Sequence, residues 1–452
     1  MYGVQYQDMF NAFLTALGAP VFIVLGFILM YYIMAVMGVD ISAALSFAFL
    51  TAPIWLPFTL FYLTFERWMW FVNLKYAVEN GRTTLRVKLP QEVFKSPDAM
   101  EAVLNQTYNP ASVSNLMEAY LQGKHPLVVS LEMASIGGEV RFYVNVPTKK
   151  VKNVIEAQFY AQYPGIEIIE EPIDYAAEIK WEPETMDLMS FHIGKKKDDV
   201  LPIRTYIDYG LDKLPKEEEK IDPISPIIEH LNSVKPHERL WIQILLKPHA
   251  EQSLSTGSIK KKPTWEAAAA AKVDEIMKRD KTKGSEDEDN YEQVRLTPGE
   301  RDMIEAIERN SSKWAFETAI RIVYITTDKD KFDGDMIGPF LRYWAAFDVI
   351  GRNKMGFQWR TDFDYNFIAD PTGARRKKYK KQELEDYKKR YYYPADVRNW
   401  VDKPRVMSIE EVATLYHIPG RVVLAPGLTR VDSLKREAPS NLPTGTPPHI
   451  SL

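Results

Sequence analysis

The sequence predicts an α+β protein held to a membrane by a helical hairpin, on three observations. Two long apolar runs without a charged side chain, Pro20 to Val39 and Ile41 to Phe65, stand near the start. They are followed by the element order strand, helix, strand, strand, helix, strand, and that order then recurs with an interruption between its central strands. A hydrocarbon core takes about 20 helical residues to cross, so each run is long enough to span it.

The two runs meet around Gly38 and Asp40, which leaves room for a tight turn and no external domain. A cleaved signal peptide is the competing reading of the first run. The absence of a basic segment before it and its length both disfavour that reading. No Lys or Arg precedes the first run, whereas Arg67, Lys75, Arg82, Arg86 and Lys88 follow the second. The positive-inside tendency therefore predicts both ends in the cytoplasm, with Trp68, Trp70, Phe71 and Tyr76 as an interfacial aromatic belt.

In the first α/β unit, Thr83 to Leu89 alternates as a strand, and Ser96-Pro97-Asp98 starts a helix with Ser as its cap. Leu127 to Met133 and Val140 to Val146 are paired strands across the turn Ile136-Gly137-Gly138-Glu139. Val151, Val154, Ile155 and Phe159 recur at helical spacing until Tyr163-Pro164-Gly165, and Ile166 to Ile169 closes the unit as a strand. This is the split βαβ order of a ferredoxin-like sandwich.

The second unit reads as a strand at Pro202 to Tyr209, a helix at Pro226 to Val234, strands at Leu240 to Leu246 and Phe316 to Thr326, a helix at Met336 to Phe347 and a strand at Phe357 to Phe363. An insertion from His249 to about Lys313 separates its central strands. Trp265 to Met277 has high helix propensity, and Thr297-Pro298-Gly299-Glu300 forms a capping box; the polar run Lys281 to Asn290 joins the two. The insertion is either a contact arm or a solvated excursion. The expected organisation is an anchor at 1–79, tandem ferredoxin-like α/β sandwich domains at 80–180 and 181–370 with the helical insertion 249–313, a basic helix and C-terminal segment at 371–437, and an extended, proline-rich tail at 438–452.

Composition and motifs exclude several chemistries. The 452 residues contain no Cys, which removes disulfides and thiolate metal sites, and the formal charge of -4 supplies no global attraction for nucleic acid. Gly194-Lys195 and Gly123-Lys124 are not followed by Ser or Thr, so no phosphate-cradling P-loop is present. Seven histidines show no His-Glu-x-x-His spacing, and Asp328, Asp330, Asp333 and Asp335 lack the Gly and Glu positions of a calcium loop. The expectation is a protein without catalytic residues, metal or cofactor.

One local patch carries a positive binding hypothesis. Arg375, Arg376, Lys377, Lys378, Lys380 and Lys381, with Lys388, Lys389 and Arg390 leading into Tyr391-Tyr392-Tyr393, combine positive charge with aromatic faces suited to DNA, RNA or anionic lipid. The alternative is a solvated helix whose Glu383, Glu385 and Asp386 neutralise the tract by close pairing.

Five phrases carry a resemblance: Gly138-Glu139-Val140-Arg141-Phe142-Tyr143, Val154 through Pro164, Arg239-Leu240-Trp241-Ile242-Gln243-Ile244-Leu245, Ala413-Thr414-Leu415-Tyr416-His417, and Pro439-Ser440-Asn441-Leu442-Pro443. Over about residues 65 to 443 the chain resembles the non-motor region of bacterial membrane-anchored, conjugative-transfer-like ATPases related to type IV secretion coupling proteins. The resemblance implies a multi-pass protein of the bacterial inner membrane, an oligomer, and a part in DNA or protein transfer. In such proteins the Ser-Asn-Leu-Pro segment leads shortly into a P-loop motor, whereas this sequence stops at Leu452. The expectation is thus a docking subunit for a P-loop ATPase supplied in trans, with Ser440, Asn441, Leu442 and Pro443 as the handover segment. The alternative is a membrane-tethered scaffold binding nucleic acid or anionic lipid through its basic tract.

Overall fold

The computed structural model describes residues 26, 28–29, 32, 42–90, 95–111, 113–213, 221–251, 263–277, 296–361, 370, 373–391, 404–420, 427 and 430–431. The chain divides into two compact units, Met1–Phe71 and Val72–Leu452. In the first apolar run the described residues, Gly26, Ile28, Leu29 and Tyr32, are helical.

Helix α1, Ser42–Asn80, contains the second run, and Pro53 and Pro57 lie inside it. Phe49, Leu50, Ile54 and Phe58 are each 70% exposed or more. The hydroxyls of Thr59 and Thr64 donate back to the carbonyls of Trp55 and Leu60 at 3.0 and 2.6 Å, so two polar side chains in this apolar stretch are satisfied within the helix. Among the described residues, Phe49–Asn80 is the one helical stretch long and apolar enough to cross a membrane.

The second unit is mixed α+β and is built on one largely antiparallel sheet. Its first half runs β1 (Arg82–Pro90), α2 (Asp98–Thr107), a short α3 (Leu116–Tyr120), β2 (Val129–Ile136), β3 (Glu139–Pro147), α4 (Lys152–Gln162) and β4 (Glu167–Glu171). Gly137 and Gly138, at φ +60° and +92°, make the β2–β3 turn, where both residues must adopt a left-handed conformation. The strand order in this half is β4-β1-β3-β2.

The second half runs β5 (Asp187–Lys195), α5 (Ser225–Asn232), β6 (Glu238–Pro248), α6 (Trp265–Ile276), α7 (Pro298–Ser311), β7 (Ala315–Thr326), α8 (Ile337–Tyr343) and β8 (Met355–Arg360). The Thr297–Glu300 capping box at the start of α7 is formed in both directions. The strand order here is β8-β5-β7-β6. Pairing of β2 with β6, from Val129 opposite Leu246 to Ile136 opposite Arg239, fuses the halves into one sheet. Four further elements follow among the described residues. Helix α9 (Ala374–Lys389) is followed by β9 (Arg405–Ser408), which pairs with β7, and α10 (Ile409–Leu415); β10 (Arg430–Val431) pairs in parallel with the end of β1.

Alternation along the strands sorts side chains to two faces. Leu131, Phe142, Ile242, Ile244, Ile322 and Phe191 pack with residues of α2, α4, α5, α8 and α10 in the larger core. Ala134, Tyr143, Trp241, Val323 and Leu188 face the other way, where Tyr175, Leu384 and Tyr387 cover them. The inserted helices α6 and α7 pack with Val200, Leu201, Ala315 and Val406 in a third cluster.

One predicted element is corrected. Pro202 to Tyr209 is not a strand but a largely buried irregular segment and turn, and the first strand of the second half is β5, absent from the sequence expectation. The segment alternates in sequence, yet its backbone bonds elsewhere: the Ile203 N–H donates to Glu411 and the Tyr206 N–H to Thr414, both on α10, at 2.9 and 3.0 Å. A smaller difference lies at α2, which begins at Asp98 without a side-chain cap bond; the Ser96 hydroxyl donates to the Asp98 carboxylate instead. The polar run Lys281 to Asn290 and the tail at 438–452 lie outside the described residues.

Candidate polyanion-binding helix

The basic tract forms α9, so the helical reading of the sequence holds, but its charges divide into two populations. The helix starts after Gly373, in a left-handed conformation at φ +67°, and the Asp370 carboxylate accepts from the N–H groups of Arg375 and Arg376 at 3.1 and 3.0 Å. Desolvation opposes the charge on Asp370, but these N–H bonds and the two guanidiniums hold its carboxyl below the ordinary value. Arg375, Lys377, Lys378, Lys381 and Lys389 are exposed, and Arg376 is half-buried. Lys380 bonds Asp187 at 2.8 Å and Lys388 bonds Glu385 at 3.3 Å, so both are partly neutralised.

Arg390 does not belong to the exposed set. It is 4% exposed, caps the helix end in a left-handed conformation at φ +49°, and turns into the sheet. Its Nε and Nη2 donate to the two oxygens of Glu132 at 2.9 and 3.0 Å, and it also pairs with Asp174. Glu132 further accepts from Ser130, Gln243 and Tyr175 at 2.6, 3.1 and 2.7 Å. Burial pushes the Glu132 carboxyl up, but the Arg390 charge and these donors overcome it and hold the group below its ordinary value. Burial also disfavours charge on Arg390, and Glu132 reverses that effect and raises its pKa well above the ordinary value. The phenols of Tyr175 and Tyr387 meet at 2.6 Å, and burial beside Glu132 keeps both far above their usual range.

Of the acidic residues on α9, Glu385 pairs with Lys388, while Glu383 and Asp386 sit on the other side of the helix. Both side chains lie on the buried face of α9. Glu383 accepts from Ser190 at 3.0 Å, lies 2.9 Å from His192 and pairs with Arg321 at 3.3 Å, while Arg321 donates to Gln243 at 3.0 Å. Sheet register places these groups in one row: Tyr143 opposite Glu132, Glu132 opposite Gln243, Gln243 opposite Arg321, and Arg321 opposite His192. The row crosses the β2–β6 junction between the halves, and α9 lies along it. Sequence reasoning missed Glu132, Gln243 and Arg321. The available signal was a lone polar residue inside an otherwise apolar strand, as in Leu240-Trp241-Ile242-Gln243-Ile244-Leu245.

A second buried pair engages Lys195, the residue of the Gly-Lys dipeptide. Its Nζ lies 2.7 Å from Glu411 of α10, with both side chains fully buried. His417, just after α10, lies 3.1 Å from Asp222 through Nε2 and 3.0 Å from the Ala413 carbonyl through Nδ1. Two acceptors, one at each ring nitrogen, suit the doubly protonated imidazolium. Although burial pulls the His417 pKa down, Asp222 and the backbone carbonyls raise it above the ordinary value.

Among the described residues no cluster of three or more His, Cys, Asp or Glu side chains could hold a metal ion. Asp328 pairs with Lys331 at 2.8 Å and Asp333 with Lys235 at 3.0 Å, in the turns between β7 and α8. Tyr392, Tyr393, Ser440, Asn441, Leu442 and Pro443 lie outside the described residues.

Residues 73–333 match a family described as a domain of unknown function, DUF8128. The chain belongs to this family. The match begins in α1 and stops shortly after β7, so it contains the β2–β6 junction and the row from Tyr143 to His192, whereas α8, β8, α9 and α10 follow it. No curated protein matches the chain.

Proposed function

We propose that this chain is a membrane-anchored, non-catalytic subunit of a conjugative or type IV secretion-like transfer machine, docking a P-loop ATPase that acts in trans. The observation that carries the anchoring is α1, whose apolar side chains stay uncovered along the stretch from Phe49. With the first apolar run as a second span, basic residues from Arg67 onward favour a cytoplasmic α/β unit at the bacterial inner membrane. The strand orders β4-β1-β3-β2 and β8-β5-β7-β6, each with its helix crossovers, support a reading of the unit as tandem ferredoxin-like sandwiches joined edge to edge. Four of the five phrases that carry the resemblance fall in β3, α4, β6 and the end of α10, so they speak for a shared scaffold rather than a shared active site.

Docking is tested by pull-down with chains ending at Leu452, Pro439 and Arg421. The longest is expected to recover a P-loop ATPase, and shortening to Arg421 to lose it. Equal recovery by all three, or recovery by none, contradicts a handover role for Ser440 to Pro443.

A second reading is favoured by the exposed cations of α9, which suit DNA or anionic lipid. Replacing Arg375, Lys377, Lys378 and Lys381 with Gln is expected to weaken binding and flatten its dependence on salt. Replacements that leave affinity and salt slope unchanged return α9 to a structural role alone.

A further inference from the structure

Helix α9 is attached to its face of the sheet differently from the helices on the other face. It buries Glu383, Leu384, Asp386 and Tyr387, of which only Leu384 is wholly apolar, whereas α2 buries Ala99, Met100, Val103 and Leu104 together. The bonds that hold α9 are polar and reach both halves. Arg390 and the Tyr387 phenol engage Glu132, Asp174 and Tyr175 of the first half. Glu383 engages Ser190, His192 and Arg321 of the second, Lys380 pairs with Asp187, and the Gln243 amide donates to the Tyr387 carbonyl at 3.0 Å. Polar groups exchange their partners for water when an interface opens, so they resist opening less than buried apolar surface does.

The helix is also bounded by two turning points. Gly373 and Arg390 are both left-handed, at φ +67° and +49°. A bulky residue seldom takes that conformation, and Arg390 keeps it because Glu132 and Asp174 hold its guanidinium. Lys377 and Lys381 are exposed like charges one turn apart, which weakens a 16-residue helix left to itself. Few buried apolar side chains, a strained joint and little stability away from the sheet are the properties of an element that opens locally.

We propose that α9 is a releasable clasp across the β2–β6 junction, which undocks while the sheet and the helices of its other face stay folded. Opening uncovers Trp241, Val323 and Tyr175, which Leu384 and Tyr387 cover when the clasp is closed. The full chain has no native cysteine, so thiol labelling of the detergent-solubilised protein tests this directly. One cysteine is introduced per variant: Leu384→Cys on α9, Val323→Cys beneath it, Ile244→Cys on the other face of the sheet, or the exposed Lys377→Cys as the measure of unhindered reaction. Positions 323 and 384 are expected to react together and at least tenfold faster than 244, although all three are fully buried in the closed structure. Equal slow reaction at 244, 323 and 384 overturns the clasp, because α9 then leaves only when the whole unit unfolds. Fast reaction at 384 with 323 as slow as 244 also overturns it, since the helix then frays without uncovering the sheet. Adding Glu132→Gln is expected to speed labelling at 323 and 384 several-fold and to leave 244 unchanged. Equal acceleration at 244 assigns the pair to the unit as a whole and contradicts the proposal. The parent chain supplies the same test without substitution: native-state hydrogen exchange of the Leu384 to Tyr387 amides should run well ahead of β6 and β7, and matched protection overturns the clasp.

Discussion

Helix α1 and the central sheet strands are both rich in large apolar side chains, yet they meet opposite surroundings. Ile242, Ile244 and Ile322 on the sheet are fully buried, whereas Phe49, Leu50 and Phe58 on α1 are 74% to 79% exposed. Apolar surface withdrawn from water contributes roughly 25 cal/mol per Å², and the sheet gains this within the protein. The exposed side chains of α1 do not gain it from the described residues, and that exposure is the observation behind the proposed anchoring. The same contrast holds for charge. Arg390 is buried and satisfied by Glu132 and Asp174, while Lys377 and Lys378 on the same helix face solvent.

The largest effect is expected at the buried charges. Arg390→Met leaves Glu132 uncompensated under α9 and should destabilise the α/β unit by about 3–5 kcal/mol in denaturant unfolding of the detergent-solubilised chain. Adding Glu132→Gln should recover much of the loss, because the two groups are coupled. Additive losses in the double variant would break the view of the pair as one clamp.

Truncation sharpens the apolar side of the contrast. Ile242→Ala opens a cavity in the sheet core and should cost about 2–5 kcal/mol in the same assay. Phe58→Ala should leave that unfolding transition within about 0.5 kcal/mol of the parent. A large loss at Phe58 would mean that its side chain is packed within the folded protein.

A smaller and pH-dependent effect is expected at His417. Its folded pKa is raised above the unfolded value, near 6.5, so its pairing with Asp222 contributes fully below that value. The contribution fades as pH rises through the folded pKa. Unfolding midpoints of the parent should therefore fall relative to His417→Gln as pH rises above about 6.5, the variant being weaker by about 1–3 kcal/mol at the acidic end. A constant difference across the range would show that the histidine does not titrate as assigned.

Local signals were legible in the sequence because they act over a few residues. The β2–β3 turn at Gly137 and Gly138, the capping box at Thr297 and Glu300, and the stop at Gly165 all appear where spacing placed them. What escaped was long-range. The strand β5, Asp-Leu-Met-Ser-Phe-His-Ile-Gly-Lys, carries Ser190 and His192 on a buried face because Glu383, nearly two hundred residues later, supplies their partner. Pro202 to Tyr209 alternates like a strand, yet Glu411 and Thr414 take the backbone bonds that a neighbouring strand would have taken. The candidate site was half legible for the same reason. Composition found the cations of α9, but only the side-chain bonds to Glu132, Ser190 and Arg321 show that Arg390 and Glu383 turn inward onto the sheet.

The anchoring of α1 is the claim on which the functional reading depends, and extraction of native membranes at alkaline pH tests it most directly. High pH strips peripheral proteins by disrupting their charge contacts but leaves spanning helices in the hydrocarbon. The full chain is expected to stay in the membrane pellet after carbonate treatment and to leave it only with detergent. Release of the chain into the carbonate supernatant would contradict it.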